Sequence, residues 1–309
     1  MTAANHIAAD CLAPRPAHAP RKFQLPRGAW DTHAHVIGDG IHSPFVEHRA
    51  YTPHQASADQ FINMMDILGI DYGVLIQISV HGTDNRLILD ALSRHPTRLC
   101  GVGAIDGDES NEDLVLLRQA GMRGVRVNDL YSGSAGIDRL KVIAKRCRAM
   151  GWHLDLALHG RSLRELAPVL VDLDVPLVID HMGWCPIKDG VNDADFQAVL
   201  ELAGLDNCWV KLSAAYRLSE QRAPYGDVAP LVQALVDVAP ARTIWGSDWP
   251  HVALHDPQRL PEPGMLLDAL HDHLADPEQL HAVLVDNPLR LYGQPGSSPI
   301  FHQNNANSR

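Results

Sequence analysis

Eight short apolar runs, each followed by a segment of helical period, recur between about Gly28 and Gly293, and this rhythm restricts the fold more than any other feature of the chain. The runs begin near Trp30, Tyr72, Leu99, Gly124, His153, Pro176, Cys208 and Thr243. After the first, Phe61, Met64, Met65 and Leu68 fall at i, i+3, i+4 and i+7, an apolar stripe along one helix face. Ser57 is placed to cap that helix and Gly69 to stop it. Leu163, Leu166 and Leu170 repeat the pattern after the fifth run, and Leu231, Ala234 and Leu235 after the seventh. Strands that alternate with helices are parallel strands joined by crossovers. Eight such units in this length match a closed (β/α)8 TIM barrel, an α/β fold. The competing doubly wound sheet needs a glycine fingerprint after its first strand, and neither G-x-G-x-x-G nor a P-loop is present. The expectation is one barrel domain over residues 28–293, with a flexible leader at 1–27 and a flexible tail at 294–309.

Charge and cysteine usage narrow the partners. The 26 Lys and Arg against 37 Asp and Glu leave a net charge of −11, which disfavours sequence-independent binding to nucleic acid or to an anionic membrane. No apolar run approaches the roughly 18 residues of a membrane span, and Met1 to Lys22 lacks the apolar centre of a signal peptide. The five cysteines (Cys11, Cys100, Cys147, Cys185, Cys208) are scattered and form no C-x-x-C pair, so a reducing, cytoplasmic setting is expected. Neither nucleic acid nor a membrane is therefore an expected partner, and the oligomeric state is unassigned.

The 18 histidines direct attention to the strand ends, because barrel enzymes carry their chemistry on the carboxyl-terminal face. His33 and His35 close the first run two residues apart, which turns both toward the barrel mouth. The fifth run ends at His159, the sixth at Asp180-His181, and the eighth at Asp248 within W-G-S-D-W-P-H. Paired core polar groups would be the plain explanation of any one of these. Four histidines and an aspartate at one end of a barrel favour a site, and their nitrogen and oxygen donors suit Zn²⁺ or another first-row divalent ion. Arg126 and Arg217 also fall at strand ends, where a five-donor fork fits a substrate carboxylate or other planar anion. Ser79, ending the second run, adds a hydroxyl.

With W-D-T-H-A-H on the first strand, D-H-M-G on the sixth and W-G-S-D-W-P-H on the eighth, the chain resembles the amidohydrolase superfamily. More narrowly, it resembles the branch of 2-pyrone-4,6-dicarboxylate lactonases and sulfomuconolactone hydrolases, and V-H-G-T-D-N-R and R-G-V-R-V-N add to the likeness. The resemblance implies a carboxylic ester hydrolase that opens a lactone of aromatic catabolism. It makes Asp248 the water-activating residue, His33, His35 and His181 the contacts to the carbonyl, and Tyr51, Ser79, Arg126 and Arg217 the substrate-binding set. It also implies one divalent metal, with Zn²⁺ favoured, on His33, His35, His159 and Asp248. In the metal-free alternative the histidines supply hydrogen bonds to the oxyanion, and His181 is available as general acid.

Three positions depart from that pattern. Ser132 and Trp184 stand where arginines are expected, and Ala157 where a tyrosine is expected. Losing two charge-assisted contacts, each worth roughly 1.5–3 kcal/mol, disfavours a dicarboxylate. A lactone with one anionic group, such as a muconolactone or its sulfonated form, fits better, and sugar lactones stay open. Two rival readings are a zinc-dependent decarboxylase of an unsaturated acid and a non-catalytic barrel that binds a small anion.

Overall fold

The structure is a computed structural model and describes residues 8–131 and 136–297. Eight strands form one sheet: β1 (Trp30–Ala34), β2 (Tyr72–Ile76), β3 (Leu99–Gly103), β4 (Met122–Asn128), β5 (His153–Ala157), β6 (Leu177–Ile179), β7 (Cys208–Ser213) and β8 (Thr243–Gly246). Each pairs in parallel with the next in chain order. The two ends of that order meet. Thr32 Oγ1 donates to the Trp245 carbonyl at 2.8 Å, Asp248 N–H to the His33 carbonyl at 2.8 Å, and His35 N–H to the Trp249 carbonyl at 2.8 Å. The expected (β/α)8 barrel is the observed one, and each of the eight predicted runs overlaps one strand, with β4 starting two residues before Gly124.

Helices connect the strands: α1 (Ala58–Leu68), α2 (Arg86–Arg94), α3 (Asn111–Gln119), α4 (Leu140–Met150), α5 (Gly160–Val171), α6 (Ala194–Ala203), a short α7 (Ala215–Leu218) and α8 (Ala229–Val238). After β8 come α9 (Pro263–His273), α10 (Pro277–His281) and α11 (Asn287–Tyr292). The first helix follows its sequence signals. The Ser57 hydroxyl accepts the Gln60 N–H, the Gln60 side chain accepts the Ser57 N–H, and Gly69 ends the helix with φ 82°. Phe61, Met64, Met65 and Leu68 are all buried.

The barrel interior is divided by polarity. Trp30, Val74, Cys100, Val178, Trp209 and Ile244 form an apolar plug closed beneath by Leu291 and Tyr292. Above this plug, toward the carboxyl-terminal half where the loops open, lie the buried polar groups His33, Asp155, Asp180 and Lys211. Strands covered on both faces read as continuous apolar runs, and all seven residues of β4 are buried.

The leader is a correction. Over residues 8–27 it is held against the barrel rather than loose: Cys11 N–H donates to the Thr52 carbonyl at 2.8 Å and Leu12 N–H to the Leu254 carbonyl at 2.9 Å. Further along, Lys22 Nζ reaches Asp272 Oδ1 at 2.6 Å. A segment tied by backbone hydrogen bonds has a defined path despite a composition that reads as disordered. At the other end the Ser297 carbonyl accepts from Arg123 Nη2 at 3.1 Å. Residues 1–7, Ser132 and the tail from 298 onward lie outside the described residues. Among the described residues, no helix is long and apolar enough to cross a membrane.

Candidate active site

Backbone strain gathers at the carboxyl ends of the last three strands. His181, Met182, Gly183 and Trp184 follow β6 with φ of 52°, 53°, 76° and 49°, and Ala214 follows β7 at 58°. After β8, Asp248 and His251 take 61° and 66°. Left-handed conformations cost non-glycine residues about 1–2 kcal/mol each, and they persist where the surroundings over-determine them. Here they turn His181, Trp184 and Asp248 inward, onto one recess.

That recess is lined by His35, Tyr51, Ser79, Arg126, His181, Arg217 and Asp248, together with Asn128, Tyr131 and Trp184. His33 lies just beneath, fully buried, its ring 5.0 Å from that of His35 and 4.6 Å from that of His181.

Asp248 has two differently committed oxygens. Oδ2 accepts from the Tyr216 hydroxyl at 2.6 Å and from Arg217 Nε at 2.9 Å. Oδ1 faces His35 Nε2 at 3.5 Å and His33 Nε2 at 3.8 Å. Burial alone would raise this carboxyl, but Arg217, then His181, His35 and His33, outweigh it and hold Asp248 well below the usual carboxylate range.

The donor set fits a metal ion. His35 Nδ1 lies 2.8 Å from the Ile76 carbonyl, which only accepts, so Nδ1 carries hydrogen and a neutral ring presents a lone pair at Nε2. Two acceptors, His35 Nε2 and Asp248 Oδ1, therefore face each other. His33 Nε2, buried without a hydrogen-bond partner, points to the same place. A cation resolves this opposition. The nitrogen and oxygen atoms of His33, His35 and Asp248 lie within 4.8 Å of one another, as do those of His33, Asp180 and His181.

His159 is a correction. Strand β5 stops at Ala157, and His159 is an exposed residue at the start of α5, in neither of those groups. Its ring stands edge-on to Trp184 at 6.3 Å, outside the recess.

Both arginines line the recess, where they are already engaged. Arg126 Nη2 donates to Asp180 Oδ2 at 3.0 Å and Nη1 to the Gln77 carbonyl at 3.3 Å. Arg217 sits on α7 rather than on a strand end. Its Nε holds Asp248, its Nη2 donates to the Val252 carbonyl at 2.7 Å, and its guanidinium lies 5.7 Å from the Trp184 ring centre and 4.9 Å from that of Tyr216. Ser79 Oγ and the Tyr51 hydroxyl are 3.3 Å apart. His181 Nδ1 lies 2.8 Å from Ser213 Oγ. Burial, opposed by Asp248 and Asp180, brings His181 down to about 4. A neutral imidazole at pH 7 can donate a hydrogen bond, but it does not serve as a proton-loaded general acid.

Comparison with known proteins agrees with this geometry. The family model described as amidohydrolase matches residues 30–294. The chain belongs to the amidohydrolase family. It is 37% identical over 286 residues to a 4-sulfomuconolactone hydrolase of Rhizobium radiobacter, covering 92% of this chain and 96% of that protein. It is also 37% identical over 284 residues to a 2-pyrone-4,6-dicarboxylate hydrolase of Comamonas testosteroni, covering 88% and 92%. Among solved structures, a probable 2-pyrone-4,6-dicarboxylic acid hydrolase of Acinetobacter baumannii, crystallised with citric acid bound, superimposes with a TM-score of 0.76. Its sequence identity is 29%, over 86% of this chain and 99% of that one. These similar proteins are lactone hydrolases by name.

Beneath its recess this amidohydrolase holds a charged layer that was not singled out from the sequence. Lys211 on β7, wholly buried, contacts Asp155 Oδ2 at 2.5 Å and Asp180 Oδ1 at 2.9 Å. Tyr216 and Tyr131 were also missed. Lys211 and Asp155 sit in strands as isolated polar residues, and the sheet order brings them together across β6.

His251 gives a pH test of the amidohydrolase fold. It is fully buried against the Tyr216 ring, 5.4 Å between centroids, and burial depresses it to about 3. Its folded value lies below the unfolded one near 6.5, so its contribution is complete above pH 6.5 and declines as pH falls toward 3. Between pH 7 and pH 5, metal-free wild type should lose about 2 kcal/mol more stability than His251→Asn. Urea midpoints of both proteins at the two pH values measure this, and parallel losses would contradict it.

Proposed function

We propose that the protein hydrolyses the ester bond of a small lactone bearing one anionic group, of the muconolactone or pyrone type. The observation that carries this reading is the division of labour in Asp248: one oxygen is pinned by Tyr216 and Arg217, the other is free and faces two histidines at the recess. Asp248 Oδ1 takes a proton from the attacking water, and the new carbon–oxygen bond forms at the ring carbonyl. His181, with the Ser213 hydroxyl donating to Nδ1, directs Nε2–H at the developing oxyanion. The ring oxygen leaves as the alkoxide and is protonated from solvent. Arg126 and Arg217 face the substrate anion and orient the ring, which lowers the barrier by fixing the reacting atoms.

His33, His35 and Asp248 would hold one divalent ion, Zn²⁺ by donor type. When bound, such an ion makes water more acidic and a carbonyl more electrophilic, which is what a base as weak as Asp248 requires. Dialysis against a chelator should lower turnover at least ~100-fold, and one equivalent of Zn²⁺ should restore it. Full turnover by protein that elemental analysis finds metal-free would remove the zinc reading and leave the histidine hydrogen bonds as the oxyanion contacts.

Charge balance supports a single anionic group. Among the described residues each of the site's cations already has an acidic partner, Arg126 with Asp180, Lys211 with Asp155 and Arg217 with Asp248, which disfavours a dicarboxylate. The walls are aromatic instead: Tyr51 packs edge-on to Tyr131 at 5.2 Å, and Tyr131 to Trp184 at 6.4 Å. Flat, unsaturated rings suit such walls better than polyhydroxylated sugars do. Arg217→Met should lower kcat/KM for an anionic lactone about tenfold more than for a neutral one, since one charge-assisted hydrogen bond is lost. Both values fall, because Asp248 also loses a partner. Equal falls in steady-state kinetics would exclude a contact to the anion. Residues 28–293 would constitute the catalytic domain, acting in the cytoplasm.

A further inference from the structure

Lys211 plays no part in the lactone chemistry above, yet it touches the layer that supports it. Its Nζ lies 3.2 Å from His33 Nδ1 in hydrogen-bonding geometry. An ammonium only donates, so toward Lys211 that ring nitrogen must be the acceptor. Asp180 Oδ1 is equally near Nδ1, at 3.2 Å, and an ionised carboxylate only accepts. Toward Asp180, therefore, Nδ1 must carry hydrogen. One nitrogen cannot satisfy both partners at once.

The choice decides what the far side of the ring offers. With Nδ1 accepting, Nε2 carries hydrogen; with Nδ1 donating, Nε2 carries a lone pair. Nε2 is the buried, partnerless atom 3.8 Å from Asp248 Oδ1. His35 has no such freedom, because the Ile76 carbonyl fixes hydrogen on its Nδ1.

We propose that Lys211 is a positioning residue that sets the tautomer of His33, keeping Nε2–H toward Asp248 Oδ1 when no cation lies between them and yielding Nδ1 to Asp180 when one does. The second half rests on the metal reading; the first does not. Without a cation, Lys211 donates to Nδ1 and the Nε2–H donor faces the Asp248 acceptor. With one, the hydrogen on Nε2 is given up and one is gained at Nδ1, where it is donated to Asp180 Oδ1. The ring stays neutral and no net proton is released from it. Lys211 retains Asp155 Oδ2 in both states. The pair of buried charges thus lets one histidine present either a donor or a ligand without moving its ring.

Long-range ¹H–¹⁵N spectra of ¹⁵N-labelled protein report each ring nitrogen directly, with the His33 signals assigned by their loss in His33→Gln. Metal-free wild type should show a protonated Nε2 and an unprotonated Nδ1, and one equivalent of Zn²⁺ should invert the pattern. Metal-free Lys211→Met should already show hydrogen on Nδ1, and it should bind Zn²⁺ about tenfold more tightly in competition with a chromophoric chelator. Hydrogen on Nδ1 in the metal-free wild type would overturn the proposal, as would a pattern unchanged in Lys211→Met. If Lys211→Met does not fold, the wild-type spectrum decides. Zinc that fails to bind wild type removes the metal reading, and the metal-free spectrum still decides the role of Lys211. Zinc that binds without inverting the pattern overturns the second half of the proposal alone.

Discussion

Asp248→Asn should reduce kcat for lactone opening by about 10³–10⁴-fold while leaving the unfolding midpoint close to that of wild type, at the upper end of what a positioned general base contributes. The expected severity follows from how the carboxylate is held. Tyr216 and Arg217 both donate to Oδ2, so an asparagine turns its carbonyl oxygen toward them and keeps those hydrogen bonds. Its NH₂ group then takes the place of Oδ1, opposite His33 and His35. A donor replaces the acceptor at the one atom that can receive a proton or ligate a cation. The fold survives because the constrained side of the residue is unchanged. Steady-state turnover and a denaturant titration on the same preparation check the prediction, and near-normal turnover would remove Asp248 from the reaction.

Lys211→Met should cost about 3–5 kcal/mol of stability, the usual penalty for removing one partner from a buried ion pair. The side chain is wholly buried, and its loss leaves Asp155 and Asp180 with Arg126 as their remaining cation among the described residues and with the His33 ring beside Asp180. Burial, with the charge of Asp180, already raises the Asp155 carboxyl above the usual carboxylate range, so Asp155 is expected to take up a proton when Lys211 is gone. Adding Asp155→Asn to Lys211→Met should therefore recover part of the loss. Urea unfolding of the two variants measures both effects. A loss below about 1 kcal/mol would show that the charged layer is solvated rather than part of the barrel's packing.

The barrel was legible because its helices and strands each announce themselves locally. Ser57, Gln60 and Gly69 cap one helix as their residue types require, and each apolar run is a strand covered on both faces. The site was legible where chemistry falls at strand ends, as with His33, His35, His181 and Asp248. It was not legible where backbone geometry departs from the strand. His159 seemed to end a strand that in fact stops two residues earlier, and a helix start carries it outward. The left-handed run from His181 to Trp184 brings an aromatic ring into the recess that spacing alone does not place. Lys211 and Asp155 belong to strands two apart in the sheet, β7 and β5, and more than fifty residues apart in the chain, so their pairing follows from strand order and register rather than from local spacing. The leader misled for a related reason: its composition is that of a loose segment, while its backbone groups find partners at Thr52 and Leu254.

Hydrolysis by water within this recess is tested most directly by carrying out the reaction in H₂¹⁸O with a muconolactone-type substrate and weighing the product. One ¹⁸O atom in the newly formed carboxylate, no release of CO₂, and loss of the product with Asp248→Asn are the expected results. A product that has lost CO₂, or a ring-opened acid without ¹⁸O, would contradict lactone hydrolysis at Asp248.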